Sequence, residues 1–129
     1  MTATAGTFTC AAGEVTVAGS AAFGWSTFST LGTDGDWYFT GTTKTIAGSQ
    51  KVPRFIQISA GATYSTSGTF RTNAYGSGRL DIYGTLTATT SFYVYGILTV
   101  KSTGTCNGSQ NGYVYAGSVF VDSGGSFSN

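Results

Sequence analysis

The sequence predicts an all-β fold, a β-solenoid of stacked β-arches with an irregular N-terminal third, on three observations. One strand–turn unit occurs twice without a gap: residues 96–106 lie over residues 117–127, 21 positions on. Apolar and polar residues alternate with period two through both copies, as strands require. Charged residues make up only 9% of the chain, and 20 glycines with a single proline leave little to interrupt strand pairing. A unit of this size cannot bury its own apolar face and must stack on a neighbour. The alternative is a β-sandwich of short strands, in which the repeat would be coincidental.

Within the repeat, Gly96 falls on Gly117 and Gly104 on Gly125, while Leu98 falls on Val119, Val100 on Val121 and Cys106 on Phe127. Lys101 falls on Asp122, so stacking predicts an ion pair on the outside beside a core column containing Val100 and Val121. Alternation puts Phe92, Val94, Gly96, Leu98 and Val100 on one face. Tyr93, Tyr95, Ile97, Thr99 and Lys101 take the other, and by the same rule Val119 and Val121 point inward and Phe120 outward. An aspartate at Val121 is then expected to cost about 3 kcal/mol or more, by burying an unpaired charge.

Taken in order, residues 6–10 and 14–19 alternate and read as short strands. From residue 20 to 35, Phe23, Trp25, Phe28 and Leu31 sit among Ser, Thr and Gly, which is poor helix material and predicts an irregular cap. Thr33-Asp34-Gly35-Asp36 is a turn leading into the strand Trp37-Tyr38-Phe39. Further strands are expected over 42–47 and 51–59, and units then begin near Ile56, Leu80, Phe92 and Val114. Residues 70–79 read as a loop or bulged strand, and 106–112, with two Asn-Gly pairs, as a loop. That loop carries a glycosylation sequon at Asn107, relevant to a secreted chain. The whole chain, 1–129, is one domain, with irregular strands and cap over 1–50 and repeated units over 51–129.

Chemistry is sparse. The chain has no histidine, which removes Ser-His and Cys-His nucleophile pairs and the usual zinc ligands. Of five acids, only Asp34 and Asp36 are close in sequence, and they sit in a turn that lacks the later ligand positions of a calcium loop. Asp81 is two residues from Arg79 on one strand face, so a local ion pair is expected there. Neither an enzyme nor a bound metal or cofactor is expected. A net charge of +1 with no basic run argues against nucleic acid as a partner. No stretch approaches the ~18 apolar residues of a membrane span. The N-terminus lacks the pattern of a signal peptide, although the composition suits an extracellular or cell-surface setting.

Cys10 and Cys106 are the only cysteines. They are disulfide candidates, between subunits or within one chain, with two buried thiols as the other reading; an oxidising setting favours the bond. Tyr-Gly pairs at 75–76, 83–84 and 95–96 suggest rings covering exposed strand backbone. The functional counterpart is a sugar-binding strip, but no carboxylate or amide cluster accompanies the tyrosines in sequence.

The recurring apolar-x-(Ile/Val)-x-Gly-x-(Leu/Val)-x-(Val/Ala) pattern of residues 80–121 resembles β-solenoid surface proteins such as haemagglutinin-type adhesins and autotransporter passenger regions. The Gly/Thr/Ser/Tyr composition is similar to that of amyloid-like archaeal sheath subunits and other extracellular filaments. The resemblance transfers no functional residue. It implies a structural protein that self-assembles into a filament, sheath or surface layer through sheet edges and outward aromatics, with copies of itself as partner. Alternation nominates Tyr95, Ile97 and Phe120 as the assembly contacts. The alternative is a carbohydrate-binding or adhesive module with glycans as partners.

Overall fold

Residues whose side chains alternate inward and outward pair best with segments that alternate the same way, and the chain supplies such segments about once per coil side. The computed structural model describes residues 6–8, 14–17, 23–24, 28–31, 36–42, 44–48, 55–71, 78–90, 92–108 and 114–128. The first strands are β1 (Gly6–Phe8), β2 (Glu14–Val17), β3 (Phe23–Gly24), β4 (Phe28–Leu31), β5 (Asp36–Phe39) and β6 (Lys44–Gly48). There follow β7 (Phe55–Ile58), β8 (Thr63–Arg71), β9 (Arg79–Ile82) and β10 (Thr85–Thr87). The last are β11 (Phe92–Val100), β12 (Thr105–Asn107), β13 (Val114–Val121) and β14 (Ser126–Ser128).

Every pairing among these strands is parallel, in one 2-stranded sheet, β1 with β4, and one 12-stranded sheet. The larger sheet sorts into columns. One column stacks β2, β5, β7, β9 and the ends of β11 and β13. A second stacks β3, β6, the start of β8, β10, β12 and β14. The end of β8 and the starts of β11 and β13 pair along a further side. The chain therefore winds from column to column and meets itself one coil later. This is the stacked β-arch, solenoid-like architecture expected from the repeat.

The core is made of in-register ladders. Trp37, Ile56, Leu80 and Leu98 form one, and Phe39, Ile58, Ile82 and Val100 the next, all fully or almost fully buried. Tyr64, Leu86 and Cys106 face them from the second column, and Val94 closes the third side. Phe39 meets Tyr64 edge-on at 5.3 Å, and the Tyr64 hydroxyl accepts the Gly41 N–H at 3.1 Å, so this large ring keeps a polar partner inside. Each fully buried Leu or Ile contributes about 1.5–3 kcal/mol of transfer free energy, which lets so weakly charged a chain hold a coil together.

The corner after the first column is tight. Lys101 N–H donates to the Ile82 carbonyl at 2.9 Å, and a Cβ on Gly104 would collide with that same oxygen. Only glycine fits there, which explains why Gly104 and Gly125 fall on each other in the repeat. Lys101 and Asp122 stand side by side at 3.4 Å, as the register requires.

Three expectations need adjustment. Residues 20–35 were expected to be irregular, yet β3 and β4 lie in this span and both pair in parallel, Phe23 with Ile46 and Phe28 with Gly6. Trp25 and Asp34 lie outside the described residues. Val119 and Val121 do stack on Leu98 and Val100, but they are 41% and 46% exposed rather than buried. Among the described residues no strand pairs with the far edge of β13, so nothing covers them. Thr99, expected on the solvent side, is buried.

Candidate functional site

Two surfaces gather chemically distinctive side chains, and both belong to the first column. Its outward positions form two ladders, set by the register. Asp36, Phe55, Arg79, Ile97 and Ser118 make one. Tyr38, Gln57, Asp81, Thr99 and Phe120 make the other. The charged groups of these ladders, Asp36, Arg79 and Asp81, lie in the earlier coils, and the later ones carry Ile97, Thr99, Ser118 and Phe120.

At the later end, Phe120 is 56% exposed between the half-exposed valines 119 and 121, and Ile97 and Tyr95 are exposed one coil back. Tyr95 is stacked on Tyr93 with ring centroids 6.2 Å apart. The three expected contact residues, Tyr95, Ile97 and Phe120, are thus all at the surface. The register places Ile97 level with Ser118 and Thr99 level with Phe120, so Ile97 and Phe120 are diagonal neighbours on one face.

In the earlier coils, Asp36, Tyr38, Phe55, Gln57, Arg79 and Asp81 line an open groove of about 490 Å³ flanked by Tyr83. Arg79 donates from Nε to Asp81 Oδ1 at 2.9 Å and from Nη2 to Oδ2 at 2.7 Å, the local pair expected from their spacing. The hydrogen bond to Asp81 raises the Arg79 pKa above its ordinary value, against the opposing effect of burial. Both carboxylate oxygens of Asp81 are therefore engaged, and its side chain is only 4% exposed. The guanidinium also lies over the Phe55 ring, 5.7 Å from its centroid, and Tyr38 meets Phe55 edge-on at 5.9 Å. Gln57 Nε2 donates a long hydrogen bond to Ser59 Oγ at 3.4 Å. Lys101 Nζ stands 6.0 Å from the Tyr83 ring, at the boundary towards the later coils.

The absence of carboxylates and amides around the tyrosines holds only along the sequence. Folding puts Asp36 and Gln57 in one groove with Tyr83, which has Asp81 two residues before it. No sequence spacing pointed to this groove; its members come from three coils of unequal length. Tyr75 and Cys10 lie outside the described residues. Among the described residues no group of three metal-ligand side chains forms, and no helix is long and apolar enough to cross a membrane.

Cys106 is a free thiol, fully buried against the core. Burial pushes its pKa up to about 12, so the thiolate needed for nucleophilic or metal chemistry does not form near neutral pH. The unperturbed value is 9.0, so below that pH the thiol carries its proton in both folded and unfolded chains. Between there and about 12 only the unfolded chain releases it, and stability falls as pH rises. Cys106→Val should remove a slope of up to about 1.4 kcal/mol per pH unit from that alkaline decline. Urea titrations in mildly and strongly alkaline buffer test this; identical slopes in both proteins would mean a solvated thiol.

Comparison with known proteins finds no matching family model, no matching curated protein and no matching solved structure.

Proposed function

We propose that this protein is an extracellular structural subunit, without enzymatic activity, that self-assembles end to end into a filament, sheath or surface layer. The observation that carries the reading is the exposed Val119-Phe120-Val121 segment on a strand whose far edge has no partner among the described residues. Parallel strand edges offer rows of N–H and C=O groups to another chain, and proteins ordinarily blunt such edges with charge, proline or a covering element. Asp122, the carboxylate that follows this segment, is already paired with Lys101. Exposed apolar side chains beside so few charges make a contact surface.

A second copy fits the edge by pattern. β13 ends in Ser-Val-Phe-Val and β2 reads Glu-Val-Thr-Val, with the same alternation. Parallel pairing of β13 on the β2 of another copy would set Val119 level with Val15 and Val121 level with Val17. Val15 is itself in register with Trp37, so the core ladders would run on from one subunit into the next.

Phe120→Lys is expected to weaken association at least about tenfold, equivalent to about 1.4 kcal/mol, while leaving the circular dichroism spectrum unchanged. Sedimentation and electron microscopy read the outcome. A wild-type chain that stays monomeric at high concentration would overturn assembly and leave the adhesive, carbohydrate-binding reading, which the groove favours.

A further inference from the structure

We propose that the groove on the outer face of the first column is a binding site for an uncharged oligosaccharide lying across the coils. This goes beyond assembly and stands on separate residues, since the groove occupies coils before the exposed β13 edge.

The size is suitable. A volume of about 490 Å³ falls within the roughly 300–1,000 Å³ typical of ligand sites. The groove is open and spans β5, β7 and β9, whose outer strands are roughly 10 Å apart at the usual strand spacing. An extended chain of rings fits such a trough better than a compact ligand that needs enclosure.

The lining offers what a sugar presents. Pyranose rings have apolar C–H faces and a rim of hydroxyls, each both donor and acceptor. Tyr38, Phe55 and Tyr83 provide aromatic surface with polar tips at the tyrosines. Gln57 provides an acceptor and donors on one planar group, engaged among the described residues only by the long bond to Ser59. Arg79 spends Nε and Nη2 on Asp81 and keeps Nη1 for a further acceptor. The Asp36 side chain has no hydrogen-bond or ion-pair partner among the described residues, so its carboxylate is available to accept from hydroxyls.

Charge then selects the class. Asp81 neutralises Arg79 through two short bonds, and Asp36 remains, so the lining is net negative among the described residues. Uronates, sulfated glycans and phosphates would be repelled. A single uncompensated carboxylate is too little for a cation site. A neutral hexose polymer is the chemistry that remains.

The test uses the full chain carrying Phe120→Lys, so that association between copies does not add avidity and the fate of the assembly reading is measured separately. Cellohexaose, maltohexaose and chitohexaose are titrated by calorimetry and by amide chemical shifts, with an oligogalacturonate of equal length as the acidic comparison. At least one neutral hexamer should bind saturably, with shifts at β5, β7 and β9. Gln57→Ala and Tyr83→Ala should each weaken that binding about tenfold or more. Ser126→Ala, exposed on β14 and outside the groove, should leave it unchanged. Gln57 is half-buried on the outer face, so Gln57→Ala decides the matter should Tyr83→Ala disturb the fold. No binding of any neutral hexamer, tighter binding of the oligogalacturonate, or full affinity in Gln57→Ala would overturn the proposal.

Discussion

Val100→Asp is expected to destabilise the fold by about 3 kcal/mol or more, because it buries an unpaired carboxylate. Val121→Asp, one coil later in the same ladder, is expected to cost about 1 kcal/mol or less, the range of partly solvated positions. The two valines share alternation and column, pair with each other, and differ only in what lies beyond them. Val100 is sandwiched between Ile82 and Val121 and is 0% exposed, whereas Val121 is 46% exposed. Denaturant titration in the Phe120→Lys background keeps subunit contacts out of the comparison. Equal costs at the two positions would mean that β13 is covered within the single chain, and the proposed contact surface would vanish with that result.

Gly104→Ala is expected to lose about 3 kcal/mol, the upper end of overpacking penalties. The new methyl meets the Ile82 carbonyl oxygen, which is held by the Lys101 N–H and has no room to retreat without opening the ladder. Gly61→Ala makes the control. Gly61 sits in an exposed turn with φ of 77° and nothing near its missing Cβ, so only backbone strain of about 1–2 kcal/mol applies. Thermal melts of the two variants separate crowding from conformational strain. If Gly104→Ala is the milder of the two, the coils are not in contact at that corner.

How much of this was legible in the sequence depended on turn length. From Leu98 to Val119 and from Cys106 to Phe127 the coil is 21 residues in both columns, so the register could be read by sliding the chain over itself. Earlier coils hide the same register. The turn between the first two columns takes residues 59–62 after β7, only 83–84 after β9, and 101–104 after β11. Partners are 24 residues apart from Phe55 to Arg79 but 18 from Arg79 to Ile97. That turn accounts for two of the six, and the rest comes from Arg71 to Arg79 spanning eight positions where Tyr93 to Ile97 spans four, so an ungapped match fails. The Arg79–Asp81 pair was readable because both residues lie on one face of one strand. The groove was not, because outward polar residues obey no pattern until the register is known. Period two also reports which way Val121 points and says nothing of whether a neighbour covers it.

The direction of the backbone hydrogen bonds sets how the molecule bears tension. Lys101 donates back to Ile82 at 2.9 Å and Asp122 to Val100 at 2.8 Å, each across one coil and along the stacking axis. A pull along that axis loads such bonds head-on and opens one seam between coils at a time, leaving the seams behind it intact. Each coil released pays out about 20 residues of chain, on the order of 70 Å when extended. A fibre strung from such units would yield in many small increments and absorb work in each, where a sheet pulled along its strands resists until all its bonds shear together.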